Sequence, residues 1–209
     1  MKTNVLGAIC VAISAVFYGT ESIIVNLCYG TNWKFIPLMV FRFGIAVIAV
    51  TILALLIKKP VILEKENRKL GLLVALLEMS ATSMLYLANQ WLSPATAQLL
   101  SYSYPVFTII AAYFIDKEKI TVVKVVSLSL LISGIMIFSG TVWGDINVMG
   151  IIAALLSAIS NSLCLIMLTR LMRRGSEPIT FLIYNLGISL IFYVILALIT
   201  GQIAVLPTQ

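Results

Sequence analysis

The chain has 209 residues, of which 61% are hydrophobic and only 11% are charged, and its mean hydropathy is +1.11. A soluble domain of this length cannot bury so much apolar surface, so the composition excludes the soluble classes and predicts an all-α integral membrane protein. The net charge of +6 does not indicate a nucleic-acid partner, because the basic residues are concentrated in alternate loops.

Seven apolar runs follow one another along the chain, and each is long enough to cross a hydrocarbon core of about 30 Å as a helix. The runs cover residues 5–28, 35–57, 70–92, 95–115, 122–140, 148–168 and 179–200. The first run is too long for a signal-peptide core and no small-residue cleavage site follows it, so we expect it to remain as a span. The sequence therefore predicts a multi-pass protein with about seven transmembrane helices.

The charges between these runs predict how the chain is oriented. Most basic residues lie near the N-terminus or in alternate loops, namely Lys2, Lys58, Lys59, Lys65, Arg68, Lys69, Lys117, Lys119, Lys124, Arg170, Arg173 and Arg174. The opposite loops hold only Lys34. The positive-inside rule then predicts a cytoplasmic N-terminus, with residue 209 outside. We expect the membrane to be the plasma membrane. Trp33, Trp91 and Trp143 all fall at the predicted outer boundary, which agrees with this orientation.

An internal repeat is visible when the sequence is shifted by 143 residues. Residues 44–55, GIAVIAVTILAL, then match residues 187–198, GISLIFYVILAL, at seven positions without a gap. The shift spans five helices, so the second copy enters the membrane from the opposite side, as in the inverted repeats of secondary transporters. We predict a first repeat of five helices in residues 1–141 and an incomplete second repeat of two helices in residues 148–209. Three helices of a ten-helix fold are then expected to be missing.

The fourth apolar run carries the most specific motif. Its parts are Ser93-Pro94-Ala95, Tyr104-Pro105-Val106-Phe107 and Asp116-Lys117-Glu118-Lys119. Together with FRFGIAV in the second run and LISGIMIFSG at the end of the fifth, this order resembles the ten-helix EamA-type carriers of the drug/metabolite transporter superfamily. The resemblance implies a 5+5 inverted-repeat fold and a secondary carrier. The incomplete second repeat implies that this form of the chain is inactive or depends on a partner.

The segment SYSYP, residues 101–105, predicts a break in the fourth helix. Pro105 has no N–H for the carbonyl of Ser101, and a freed carbonyl in lipid needs another donor. Helical spacing places Gln98, Tyr102 and Pro105 on one stripe, with Ser101 beside it. Two interpretations remain open: a polar notch facing an aqueous cavity, or a packing kink whose serines bond back to the backbone. The resemblance favours the cavity.

Three ionisable residues, Glu21, Arg42 and Glu78, lie inside predicted spans, where each charge costs roughly 2.5–3.5 kcal/mol on insertion scales. Glu21 and Arg42 lie at a similar depth, about 10 Å from the outer face, in consecutive antiparallel spans. We therefore predict that they pair. The pair either locks two helices together, or Glu21 restrains Arg42 while Arg42 meets an anionic or zwitterionic substrate.

Glu78 has no cation at its own predicted depth, about 12 Å from the inner face. It is therefore a candidate carrier of a coupling proton, and the alternative is an ionised group in a water-filled vestibule. Polar stripes on the third, sixth and seventh spans are expected to face the bundle interior. The candidate substrate-binding residues are Tyr18, Glu21, Arg42, Glu78, Tyr86, Gln98, Ser101, Tyr102, Pro105, Asn161 and Asn185.

Residue types that are missing from the sequence decide the functional class. The chain contains no histidine, which excludes Ser-His-Asp catalysis and HExxH zinc chemistry. Cys10, Cys28 and Cys164 fit neither a metal site nor a disulfide framework, and we expect them to behave as small apolar residues. We predict no catalytic residue, metal or cofactor.

Two functions remain open. The first is a carrier that moves a small metabolite or drug-like solute by alternating access. The second is a non-transporting membrane scaffold or partner subunit. Amino acids, purines, sugars and cationic drugs all remain possible substrates, and the sequence does not predict an oligomeric state.

Overall fold

The computed structural model describes residues 2–31, 33–117, 121–142 and 147–202, together with most of their side chains. These residues form eight α-helices joined by short turns. The helices are α1 (Lys2–Gly30), α2 (Phe35–Leu56), α3 (Arg68–Ala88), α4 (Pro94–Ser101), α5 (Tyr104–Asp116), α6 (Val122–Val142), α7 (Val148–Arg173) and α8 (Pro178–Thr200). A single 3₁₀ turn, Lys65–Asn67, precedes α3.

Polar residues and prolines fix where several helices begin. The Asn147 side chain accepts hydrogen bonds from the backbone N–H groups of Met149 at 2.9 Å and Gly150 at 3.4 Å, which starts α7. Ser93 caps α4 in the same way, and Pro94 follows it in the first turn. At the other end of the chain, α8 ends where Gly201 adopts φ +67°, a left-handed conformation that suits glycine.

The fourth predicted span is two helices rather than one. α4 ends at Ser101, and α5 begins at Tyr104 with Pro105 in its first turn. The amide of Ser103 donates to the carbonyl of Leu100 at 3.1 Å, and its hydroxyl donates to the same carbonyl at 2.7 Å. The break predicted from Pro105 is therefore confirmed, and a neighbouring serine satisfies a carbonyl that the break leaves open.

Two helix pairs form the centre of the bundle: α3 packs along α7, and α2 packs along α8. α5 and α4 also pack on α7, and α3 also contacts α8. A central apolar cluster joins α1, α2, α3 and α8 through Val25, Met39, Phe43, Met79 and Tyr193. In contrast, α6 makes few contacts in the described part of the chain, and α1 is largely exposed, so these two helices lie at the periphery.

Contacts between turns show which helix ends lie on the same face of the bundle. Lys59, after α2, forms an ion pair with Glu177, before α8, at 2.8 Å. Thr180 donates to the carbonyl of Pro60 across the same two segments. These turns belong to the face that the charge pattern predicts to be cytoplasmic. A recess at the opposite face is lined by the end of α1, the start of α2 and the end of α3.

The all-helical membrane fold is confirmed. Among the described residues, six segments are long and apolar enough to cross a membrane, and one of these, Pro94–Ile115, contains both α4 and α5. The remaining predicted span coincides with α6, of which Val122–Gly134 is apolar but shorter. Trp33 is half-buried and Trp91 is exposed, whereas Trp143 lies outside the described residues. The inverted repeat remains a prediction.

Candidate functional site

A narrow polar cavity lies at the level of the middle of the bundle, where four helices meet. Its volume for water-sized molecules is about 50 Å³. The lining residues come from α1, α2, α3 and α7: Glu21, Arg42, Glu78, Ala81, Thr82, Leu85, Ser157 and Asn161. Four of the predicted binding residues are therefore brought together around one space, although the sequence placed Glu78 at a different depth from Glu21 and Arg42.

The predicted ion pair between α1 and α2 is confirmed. Arg42 Nη2 lies 2.7 Å from Glu21 Oε1. The guanidinium also lies over the ring of Tyr86, 4.8 Å from its centroid, and 5.5 Å from the centroid of Phe43. The Tyr86 hydroxyl lies close to the Glu21 carboxylate. The buried Nη1 of Arg42 has no hydrogen-bond partner among the described residues. The guanidinium is therefore bound to Glu21 through Nη2, and Nη1 is available to donate a hydrogen bond to a ligand.

Glu78 supplies the second carboxylate of the cavity. Its Oε2 accepts a hydrogen bond from the thiol of Cys164 on α7, at 3.2 Å. Cys164 is almost fully buried, as expected for a small apolar residue, but it acts here as a donor to a carboxylate. The cavity thus contains two carboxylates and one guanidinium, which leaves a formal charge of −1 when all three are ionised.

Serine side chains connect the cavity to the broken span. Ser157, which lines the cavity, donates to the carbonyl of Ala81 on α3 at 2.7 Å. Its hydroxyl lies 3.4 Å from the hydroxyl of Ser101, the last residue of α4. Ser101 is therefore buried against α7 behind the cavity wall, so the cavity and the helix break are in contact through one pair of hydroxyls.

The other predicted site residues do not line this cavity. Gln98 is buried on α4, and Tyr102 and Pro105 are half-buried at the helix break. Asn185 is buried in α8, which packs on α2 and α3, and its Oδ1 has no hydrogen-bond partner in the described part of the chain. The side chain of Tyr18 lies outside the described part of the structure.

The predicted inward direction of three polar stripes is confirmed. On α8, Asn185, Ser189 and Tyr193 are 3%, 0% and 1% exposed. The Tyr193 hydroxyl bonds the hydroxyl of Ser83 on α3, and its ring stacks on Phe43. On α3 and α7, the inward polar residues include the cavity-lining residues described above. Polar side chains on these helices therefore form hydrogen bonds between helices as well as lining the cavity.

A second, wider recess lies at the predicted outer face. Its volume is about 670 Å³, and Asn26, Tyr29, Trp33, Lys34 and Gln90 are among its lining residues. The Tyr29 hydroxyl donates to the carbonyl of Tyr86 at 3.2 Å. Because Tyr86 also contacts Arg42, the two tyrosines stand between the recess and the cavity. Sequence reasoning missed Tyr29, whose position near the end of an apolar helix gave no polar stripe to mark it.

The sequence was also compared with known proteins. The sequence model of the EamA-like transporter family matches residues 5–140. The chain belongs to the EamA-like transporter family. Curated proteins and solved structures gave no match. Membership supports a multi-pass membrane transporter of the drug/metabolite transporter type, and transport rather than catalysis is the activity it indicates.

Proposed function

We propose that this protein is a secondary carrier that moves a small metabolite or drug-like solute across the plasma membrane by alternating access, and that the polar cavity is its binding site. The observation that carries this proposal is the meeting of Glu21, Arg42 and Glu78 around one space in the middle of the bundle. Ionisable side chains within spans are costly and commonly mark a substrate or ion pathway.

Arg42 is proposed to bind the negatively charged group of an anionic or zwitterionic solute. Glu21 holds the guanidinium through Nη2, and the face of Tyr86 supports it. The unpartnered Nη1 can donate to a carboxylate or phosphate oxygen without breaking the ion pair. Asn161 and Thr82, which line the same space, offer an amide and a hydroxyl for the rest of the solute.

Glu78 is proposed to carry the coupling proton. Glu21 already compensates Arg42, so Glu78 is the charge in excess. Its described partner is a thiol, which is only a weak hydrogen-bond donor. Binding either a proton or the cationic group of a zwitterion at Glu78 removes the excess charge, which links solute binding to proton binding.

The size of the cavity is consistent with a closed state of a carrier. A volume of about 50 Å³ holds a few water molecules, whereas a site for a whole small molecule typically has a volume of ~300–1,000 Å³. The wider recess beyond Tyr29 and Tyr86 offers a route from the outer face in the proposed orientation, with a cytoplasmic N-terminus. Separation of these two tyrosines is proposed to open the cavity to that face.

The test is ligand-induced thermal stabilisation of the purified chain, screened with amino acids, purines, sugars and cationic drugs. A stabilising solute should lose its effect in Asn161→Ala, which removes a cavity-lining amide without touching the ion pair. Ser160→Ala is the matched control, because Ser160 is the preceding residue and faces Ser80 at 3.3 Å instead of lining the cavity.

Two results contradict the proposal. One is equal loss of stabilisation in Asn161→Ala and in Ser160→Ala, which places the solute elsewhere. The other is purification of the chain in a stable hetero-complex that binds none of these solutes and shows no flux in vesicles, which is the behaviour of a scaffold or partner subunit.

A further inference from the structure

The segment between α2 and α3, residues 57–67, contains an apolar stretch that the solute site does not explain. Val61, Ile62 and Leu63 lie among the lysines and glutamates of this segment. Leu63 is only 2% exposed, although it belongs to neither helix. Connecting segments usually run over the surface of a protein, so this burial shows that the segment is packed onto the bundle. Residues 57–67 are called the α2–α3 strap below.

Leu63 occupies a position that only a glycine on α3 leaves open. A Cβ at Gly71, in the first turn of α3, would lie 2.6 Å from Leu63 Cδ2 and 3.3 Å from Tyr184 Cε1 of α8. Arg68 Nε donates to the carbonyl of Leu63 at 3.0 Å, and the Tyr184 hydroxyl donates to the carbonyl of Arg68 at 3.3 Å. The strap and the first part of α8 therefore both pack on the start of α3.

The other end of the strap is bound to α8. Lys59 forms an ion pair with Glu177 at 2.8 Å, and Thr180 donates to the carbonyl of Pro60. The centre of the bundle consists of two helix pairs, because α2 packs along α8 and α3 packs along α7. The strap contacts one pair through Lys59 and Pro60 and the other pair through Leu63. It therefore joins the two pairs at this face of the bundle.

An apolar layer lies between the strap and the central cavity. Val74, Cys164, Leu171 and Phe181 form one buried cluster, in which each residue is 5% exposed or less. Val74 is one helical turn from Glu78, which lines the cavity. Phe181 lies in the first turn of α8, next to the residues that bind the strap. Side chains of α3, α7 and α8 thus close the cavity toward the strap.

The barrier on the other side of the cavity is thinner. Tyr29 and Tyr86 stand between the cavity and the recess of about 670 Å³, and the Tyr29 hydroxyl donates to the carbonyl of Tyr86 at 3.2 Å. The barrier toward the strap combines a buried cluster with an ion pair and several hydrogen bonds between segments. Opening toward the recess therefore costs less than opening toward the strap.

We propose that the α2–α3 strap is the latch of a gate on this face, which the charge pattern predicts to be cytoplasmic, and that burial of Leu63 keeps the gate closed. Release of Leu63 from Gly71 lets the α2–α8 pair separate from the α3–α7 pair, which opens the apolar layer. While the strap is bound, solute exchanges only with the recess. This inference rests on the proposed alternating access, and it adds which contacts must break for solute to pass the second face.

The experiment measures the reaction of Thr82→Cys with a membrane-impermeant thiol reagent from each face separately, in a chain whose own three cysteines are replaced. We expect faster reaction from the recess face than from the strap face. Leu63→Ala should raise the rate from the strap face roughly tenfold without raising the rate from the recess face, because the lost contacts stabilise only the form closed at the strap. Leu63→Met keeps the side-chain volume and should react like the parent chain.

Leu92→Ala is the matched control for a general loss of stability. Leu92 is 6% exposed and lies in the turn before α4, at the opposite face of the bundle. Its truncation removes the same atoms from a buried site and lowers stability in the same way, but it does not touch the strap. The rate from the strap face should therefore stay unchanged in Leu92→Ala.

The exposed ion pair provides a second pair of variants that leaves the buried contacts intact. Lys59→Glu places two like charges where the strap meets α8, and it should raise the rate from the strap face about twofold, since an exposed ion pair contributes little. The double variant Lys59→Glu with Glu177→Lys restores opposite charges. It should return the rate to that of the parent chain.

Several results would overturn the latch while leaving the solute pathway intact. They are no rise from the strap face in Leu63→Ala, an equal rise from both faces, the same rise in Leu92→Ala, or equal rates in Lys59→Glu and in the charge-swapped double variant. Reaction of Thr82→Cys from neither face in every variant would instead overturn the proposed function, and the latch with it.

Discussion

Arg42 illustrates how a charge is accommodated at the scale of one residue. Its guanidinium is held by a carboxylate on α1 and by the face of an aromatic ring on α3. The pairing with Glu21 could be predicted from the sequence, because two opposite charges at matching depth in consecutive spans have few other partners. The thiol partner of Glu78 could not be predicted, because it depends on how α3 and α7 are rotated against each other.

The ion pair should be visible in a double-mutant cycle. Arg42→Ala leaves the Glu21 carboxylate without its partner, which we expect to cost about 3 kcal/mol, the price of an isolated charge within a span. The double variant Arg42→Ala with Glu21→Ala removes both charges and should be more stable than Arg42→Ala alone. Thermal unfolding in detergent measures both effects. Additive losses from the two single changes would show that the residues do not interact.

Gly150 is a second residue at which a small substitution should matter, because α7 lies very close to a neighbouring turn there. A Cβ at Gly150 would lie 2.6 Å from Leu92 Cγ and 3.1 Å from Trp91 Cβ, where α7 meets the turn before α4. Gly150→Ala should therefore destabilise the protein by about 1–3 kcal/mol, despite the better helix propensity of alanine. Gly187→Ala in α8 is the control, since no atom lies within 4 Å of its Cβ position. Equal melting temperatures for the two variants would contradict the packing at Gly150.

At the scale of one element, the broken span shows where sequence reasoning succeeds and where it stops. The missing N–H of Pro105 predicts the break, and the break is present between Ser101 and Tyr104. The polar stripe did not predict which helix the broken span contacts, which is α7, through Ser101 and Ser157. It also did not predict that Gln98, Tyr102 and Pro105 do not line the central cavity. The spacing of polar residues predicts which face of a helix is polar, whereas long-range packing decides which neighbouring helix or cavity that face contacts.

Pro105→Ala should join α4 and α5 into one helix. The new N–H can donate to the carbonyl of Ser101, which adds a backbone hydrogen bond of about 1 kcal/mol and should leave membrane insertion unchanged. Straightening should also move Ser101 away from Ser157 and weaken solute binding. Spin labels at Ala95 and Tyr113, both exposed, report the change as a longer distance.

Ile110→Val is the control for this change, because Ile110 is exposed on α5 and should alter neither the label distance nor binding. If Pro105→Ala lowers stability and leaves the affinity for solute unchanged, the break serves packing alone.

At the scale of the whole molecule, hydropathy predicted the helices but not their arrangement. All seven apolar runs are helical in the described residues, since burial of backbone polar groups in lipid leaves few alternatives to a helix. The pairing of α3 with α7 and of α2 with α8 follows from side-chain fit, which apolar composition does not encode. The central cavity is a consequence of that arrangement, because its lining comes from both halves of the chain.

Cysteine accessibility at Thr82 tests the existence of a solute pathway most directly. Thr82 lines the cavity on α3, and Ala75 on the same helix is fully buried outside it. In a chain with Cys10 and Cys28 replaced by alanine and Cys164 by serine, we expect Thr82→Cys to react with a membrane-impermeant thiol reagent from either face of a vesicle. Ala75→Cys should not react from either face. If Thr82→Cys reacts from neither face although the protein is folded, that result would contradict an alternating-access cavity at this site.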